Sequence, residues 1–307
     1  MKIGVSSYSF GQYVNKTGAS YIDVCDKAKE LGFDGIEFTD FPEATALETA
    51  KTVHDHCAGI GLPIVSYTVG ANFLCDDLKA EIARVKRRVD EAAVLGVKVM
   101  RHDGSFQLKN LPGYTWEDGI RDMAPAIREV TEYAAAKGIR TCSENHGYYF
   151  QASERVERLI QTVDDPNYGW LVDMGNFLCV DEDPAIAVRR AAKYAFHVHA
   201  KDFLYKKQDD LTAEPEGFFK TANGNLLRGT VVGHGVVPIA TCVRLLKQAG
   251  YDGWLSLEPH YRKNTVLSEE QMRLPGGAAQ KNFSGARVFV PEYGFAHIAR
   301  LYRSGAS

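Results

Sequence analysis

Apolar and polar positions along this chain follow two alternating periods. Leu78, Ile82, Val85, Val89 and Ala92 recur at steps of three and four, as do Ile120, Met123, Ile127, Val130 and Ala134. Such spacing lays one apolar stripe along a helix and predicts two amphipathic helices that pack on a larger body. Between the helical stretches fall short, mostly apolar runs: Ile3–Tyr8, Gly35–Phe38, Pro63–Val69, Lys98–His102, Arg140–Glu144, Gly169–Asp173, Phe196–Lys201 and Trp254–Glu258. Runs of this kind suit strands covered on both faces. A glycine marks five of the junctions: Leu31-Gly32-Phe33, Ile60-Gly61-Leu62, Leu95-Gly96-Val97, Lys137-Gly138-Ile139 and Ala249-Gly250-Tyr251. Glycine closes a helix there because it enters the left-handed region without a Cβ clash, after which the chain turns into a strand.

Helix, glycine, strand is the unit of a βα repeat. Eight such strands favour a closed (β/α)8 TIM barrel over an open doubly wound sheet, and residues 1–307 read as one barrel domain. Two stretches leave the rhythm. Residues 203–235 are a polar rim insert, expected to act as a lid or a substrate wall. Residues 262–307 form a C-terminal extension whose apolar segment Val290–Leu301 suits a terminal helix or an oligomer contact.

Composition narrows the class. With 45% hydrophobic and 24% charged residues the chain is expected to be a soluble globular protein. No apolar run approaches the roughly 20 residues of a membrane helix. The opening MKIGVSSYSF reads as a strand and not as a signal peptide, so the expected location is cytoplasmic, with no membrane partner. A net charge of −3 offers no basic field for a phosphate backbone, so nucleic acid is not an expected partner. The six cysteines are scattered without a C-x-x-C pair and read as buried free thiols.

Catalytic side chains of such barrels stand at the C-terminal ends of the strands. Here four consecutive strands end on candidate ligands: TCSENHG on Glu144, WLVDMGN on Asp173, FHVHAKD on His199 and WLSLEPH on Glu258. A lone strand-end carboxylate is as often a rim charge. Three carboxylates and an imidazole converging on one mouth would repel strongly without a cation among them. Oxygen-rich ligation with one nitrogen points to one divalent ion, Mn2+ first, with Mg2+, Co2+ or Zn2+ as alternatives.

The motifs GFDGIEF, SENHG, LVDMGN, HVHAKD and GHGVVPIATCVRLLKQAGYDGWLSLEPH resemble those of the xylose-isomerase-like TIM barrel superfamily. They are most similar to its sugar phosphate isomerase/epimerase branch, which includes ketose 3-epimerases, inosose dehydratases and isomerases, and barrel subunits of 3-keto-C-glycoside deglycosidases. The resemblance implies the same four metal ligands, Glu144, Asp173, His199 and Glu258. It also implies proton abstraction beside a carbonyl through a metal-stabilised enediolate, with Glu144 and Glu258 exchanging the proton in the ketose epimerases. The leading expectation is therefore a metal-dependent isomerase or epimerase of a keto sugar or cyclitol. The alternative is a lyase that ends the same step in elimination. Either takes a small-molecule partner and implies a homo-oligomer, or a hetero-oligomer with a small partner subunit for a deglycosidase. An abasic-DNA endonuclease shares the fold but needs more ligands and a basic groove.

Departures from the epimerase pattern single out further residues. Epimerases follow the strand-five glutamate with Asn-Arg and a further acidic residue, whereas this chain reads Asn145-His146-Gly147-Tyr148. Asn176 stands where many relatives carry histidine and is expected to donate to a substrate hydroxyl. His146 is expected to act as acid or base, or else to orient Glu144. Lys201 alternates with His199, so it shares a face with it, where it holds a substrate oxyanion or neutralises the carboxylates. Glu37 and His102, at the ends of strands two and four, are expected to bind substrate hydroxyls. His197 is placed one layer deeper.

Overall fold

The computed structural model describes residues 1–208 and 215–258. Eight parallel strands close the barrel: β1 (Lys2–Ser6), β2 (Gly35–Thr39), β3 (Ile64–Val69), β4 (Val99–His102), β5 (Arg140–Glu144), β6 (Tyr168–Asp173), β7 (Ala195–Ala200) and β11 (Trp254–Leu257), with β11 pairing back to β1. Outside the strands lie α2 (Tyr21–Glu30), α3 (Ala46–Ile60), α4 (Leu78–Leu95), α5 (Trp116–Ala135), α6 (Ser153–Val163), α7 (Pro184–Ala191) and α8 (Ile239–Gln248), with a short α1 (Gly11–Thr17) after β1. The (β/α)8 expectation holds, and the strand boundaries fall within one residue of the periodic reading. The first strand is the exception, stopping at Ser6 before a 3-10 turn over Ser7–Phe10.

Local chemistry accounts for the helices. Ser20 with Asp23 and Thr115 with Asp118 form reciprocal capping boxes at the starts of α2 and α5, each worth about 1 kcal/mol. Gly96 ends α4 at φ 73°, the left-handed conformation its place between helix and strand calls for. The stripe Ile120, Met123, Ile127, Val130 and Ala134 is wholly buried, and burial of each large side chain contributes roughly 1.5–3 kcal/mol. Of the α4 stripe, Val85, Val89 and Ala92 are fully covered, while Leu78 and Ile82 lie half-buried at its start.

The described residues of the 203–235 insert include a small sheet. They contribute β8 (Asp202–Lys206), β9 (Phe219–Lys220) and β10 (Leu226–Thr230), an antiparallel sheet in the order β8, β10, β9. Asp202 gathers the backbone N–H groups of Phe203, Gly233, Gly235 and Val237 onto its carboxylate, which closes this sheet at the end of β7. Contacts from Ala222 to Cys179 and from Asn223 and Asn225 to Asp181 dock it on the loop after β6. The strands themselves are largely apolar, and the polar residues that set the reading lie mainly between them in the sequence. The extension 262–307, with Val290–Leu301, lies outside the described residues. All six cysteines are free thiols. Among the described residues no helix is long and apolar enough to cross a membrane.

Candidate active site

Alternation along the strands decides which side chains reach the barrel axis. Val99, Cys142 and Leu171 pack together in the interior. Two residues further along the same strands stand Arg101, Glu144 and Asp173. On β7 the same parity carries His197, His199 and, just beyond the strand end, Lys201. Glu258 follows β11 directly.

Ligand atoms of Glu144, Asp173, His199 and Glu258 lie within 4.8 Å of one another, and the four form a group that can hold a metal ion. His199 Nδ1 is 3.4 Å from Glu258 Oε2, 3.8 Å from Glu144 Oε1 and 3.9 Å from Asp173 Oδ2. Two of these atoms, His199 Nδ1 and Asp173 Oδ2, are buried without a hydrogen-bond partner. Orphaned buried polar atoms are costly, and two aimed at one point among carboxylates fit a cation. Lys201 Nζ meets part of that demand, 2.6 Å from Glu258 Oε2 and 2.9 Å from Asp173 Oδ2, although the latter contact lacks hydrogen-bond alignment.

The electrostatics agree. Burial raises the Asp173 pKa, and the carboxylates of Glu144 and Glu258 add to the rise against the opposing Lys201 and His199. Burial disfavours a charged His199, yet the negative charges of Glu37 and Glu258 hold its pKa well above the ordinary histidine value. The cluster is thus short of positive charge. Burial likewise opposes ionisation of Glu144, but Arg101 and His199 outweigh it and keep its carboxyl well below the usual range.

Glu37, expected to bind substrate hydroxyls, is engaged by the protein's own histidines. Fully buried inside the barrel, it accepts from His199 Nε2 at 2.9 Å and faces His197 Nε2 at 3.0 Å. An Nε2–H donated to Glu37 leaves the Nδ1 lone pair of His199 for a metal, the second partner that orients a histidine ligand. Removing the Glu37 charge by Glu37→Gln is expected to weaken divalent-metal binding by roughly 10- to 100-fold with the fold retained. Calorimetric titration with Mn2+ checks this, and unchanged affinity would refute the orienting role. His197 does lie deeper, with Nε2 also 2.9 Å from Ser256 Oγ.

Asn176 and Lys201 are brought to the mouth but are turned onto the ligands. Asn176 Nδ2 donates to Glu144 Oε1 at 2.9 Å, and its Oδ1 accepts from Lys201 at 3.2 Å. Of the two roles weighed for Lys201, neutralising the carboxylates is the one its contacts display. Asp173 is itself held by backbone N–H groups of Gly175 and Asn176 on Oδ1, which leaves Oδ2 for the cluster. Gly175 is required in that turn, since a Cβ there would stand 2.8 Å from the Lys201 carbonyl oxygen.

His102 does not belong to the mouth. Because Arg101 points inward, His102 points outward into the layer between strands and helices. Its ring stacks on Tyr168 (5.9 Å) and meets the Phe73 ring edge-on (5.4 Å), and burial lowers its pKa to about 4. A neutral core histidine results. His146 does stand at the rim, with Nδ1 3.4 Å from Asp103 Oδ1 and its ring edge-on to Phe106. Burial works to lower its pKa, but the Asp103 contact and the Glu144 charge raise it above the ordinary value.

Three residues escaped the sequence reading. Arg101 donates from Nε to Glu144 Oε2 at 2.9 Å and pairs its terminal NH2 with the same oxygen. Asp103 accepts from both Arg101 and His146. Asn145 ties β5 to β6, accepting from Trp170 and the Asp173 backbone and donating to the Asp173 carbonyl. The alternation Val99, Arg101 in the fourth strand was the available signal for Arg101.

Fold and cluster together define a (β/α)8 barrel with a buried carboxylate–imidazole site at its C-terminal mouth. The chain belongs to the xylose isomerase-like TIM barrel family, whose model matches residues 25–280. It is similar to the rhizopine catabolism protein MocC of Rhizobium meliloti, 31% identical over 203 residues, covering 62% of this chain and 60% of that protein. It is also similar to an inosose dehydratase of Geobacillus thermodenitrificans, 26% identical over 133 residues, covering 43% of this chain and 44% of that enzyme. The chain thus spans about half the length of these curated relatives. Among solved structures, a barrel protein from Mycobacterium smegmatis in complex with magnesium superposes with a TM-score of 0.65 at 18% identity, covering 88% of this chain and 92% of that one, which supports the fold.

Proposed function

We propose that this protein is a metal-dependent enzyme that removes a proton from the carbon beside the carbonyl of a keto cyclitol or keto sugar and completes the reaction by loss of water. The observation that carries the reading is the pair of orphaned buried atoms, His199 Nδ1 and Asp173 Oδ2, inside a cluster short of positive charge. A divalent ion held by Glu144, Asp173, His199 and Glu258 would supply a Lewis acid for the substrate oxygen on which negative charge collects. Similarity to an inosose dehydratase supports a cyclitol as the substrate class.

His146 is the base that the rim offers. Asp103 accepts from Nδ1–H and sets the tautomer in which Nε2 carries the lone pair, and among the described residues Nε2 has no partner. The C–H bond beside the carbonyl breaks, its proton goes to Nε2, and its electron pair forms an enolate. As the carbonyl re-forms, the bond from the neighbouring carbon to its hydroxyl breaks. The hydroxyl takes the proton back from His146 and leaves as water. The balance is substrate to unsaturated ketone plus water. The epimerase outcome shares the first step and needs a second base on the opposite face.

The test is incubation of the Mn2+-loaded protein with an inosose, followed by absorbance of the conjugated ketone and by NMR. Metal-dependent appearance of the unsaturated ketone is expected. Formation of an epimer with no dehydration would assign the protein to the isomerases instead.

A further inference from the structure

Arg101 makes more contacts in the site than any sequence motif suggested. Its guanidinium has five N–H donors in a fixed fork. Nε and one N–H of the second terminal nitrogen converge on Glu144 Oε2, the first at 2.9 Å. The other terminal nitrogen reaches the Val69 carbonyl at 3.2 Å and Asp103 Oδ2 at 3.0 Å. The fifth N–H points toward His146 Nδ1 at 3.4 Å, which does not accept it in the tautomer that donates to Asp103. Four of the five donors are taken by the protein's own groups among the described residues, and it is on these that Arg101 acts. The other oxygen of Glu144, Oε1, faces His199 Nδ1 and accepts from Asn176 Nδ2 at 2.9 Å. Both oxygens of this carboxylate are therefore committed.

Resemblance to ketose epimerases implies that Glu144 and Glu258 exchange the substrate proton, and that exchange requires a Glu144 oxygen open to the substrate. We propose that Arg101 is a positioning residue that confines Glu144 to metal ligation by occupying Oε2, so that the two-glutamate proton exchange of the ketose epimerases is closed in this protein. This inference rests on the proposed function and deepens it. A two-donor grip on one oxygen suits the task, because a planar guanidinium presents Nε–H and a terminal N–H to Oε2 in a fixed geometry where an ammonium would let the carboxylate pivot. Asp103, shared by Arg101 and His146, joins the fixed ligand and the base in one network.

Two measurements test it. The first is a crystal structure of the Mn2+-loaded protein, in which Oε2 is expected to remain on Arg101; release of Oε2 from Arg101 would overturn the proposal whether or not the protein turns over. The second follows an inosose in D2O by NMR with the wild type, Arg101→Met and Arg101→Lys, all Mn2+-loaded. The wild type is expected to dehydrate without epimer. Both variants are expected to lose dehydration by roughly 10- to 100-fold and to form an epimer carrying solvent deuterium, because lysine keeps the charge but not the fork. An epimer from the wild type, or variants that lose dehydration and form none, would sink the idea and leave Arg101 a structural residue. A wild type that binds Mn2+ but leaves the inosose untouched counts against the proposed function, and the crystal structure still decides the role of Arg101.

Discussion

Replacing Asp173 by asparagine is expected to weaken divalent-metal binding by more than about 100-fold, beyond the 10- to 100-fold typical of residues that only orient a ligand, and to bring turnover to background. The substitution is nearly isosteric. The oxygen that accepts from the Gly175 and Asn176 backbone is retained, so the turn after β6 keeps its hydrogen bonds. What changes is Oδ2, the buried atom without a hydrogen-bond partner that faces His199 and Lys201. An amide nitrogen there presents hydrogens to an ammonium 2.9 Å away and has no lone pair for a metal. Calorimetric titration with Mn2+ and metal analysis of the purified variant read the outcome, with circular dichroism to confirm the barrel. Retention of one tightly bound ion per chain would remove Asp173 from the ligand set.

The second large effect is expected at His146. His146→Asn should lower kcat for dehydration of an inosose by about 10²- to 10⁴-fold, the range for a general base, with Mn2+ affinity changed little. The separation follows from position: His146 sits on the rim, 3.4 Å from Asp103, and is not one of the four clustered ligands. If metal affinity collapses together with kcat, His146 serves to orient Glu144. If kcat survives, the base lies elsewhere, with Glu258 the next candidate.

Much of this molecule was legible in its sequence. The two apolar periods and the glycine stops announced a (β/α)8 barrel because helix and strand impose different repeats on a buried face, and those repeats are local. Four strand ends carried Glu144, Asp173, His199 and Glu258, and barrel topology alone brings strand ends to one mouth. Side-chain direction at a given strand end is a different matter. A shift of one residue reverses it, which is why His102 was placed at the mouth and Arg101 overlooked. The same reversal of expectation befell Glu37, whose inward direction was read correctly but whose depth was not. It lies beside His197 and His199, fully buried and with its carboxylate engaged by both.

The sequence by itself determined the repeat, the strand count and which residue types stand at the mouth, since these follow from periodicity and chain order. Only the tertiary structure decided what each polar group is engaged with. Asn176 and Lys201 look from sequence like groups offered to a substrate and Arg101 went unread, yet each is turned onto a carboxylate of the cluster, Arg101 and Asn176 taking the two oxygens of Glu144 between them. Hydrogen-bond partners at the barrel mouth come from strands far apart in the chain. Their pairing is set by distances of about 3 Å across the closed sheet, which no local pattern of residues encodes.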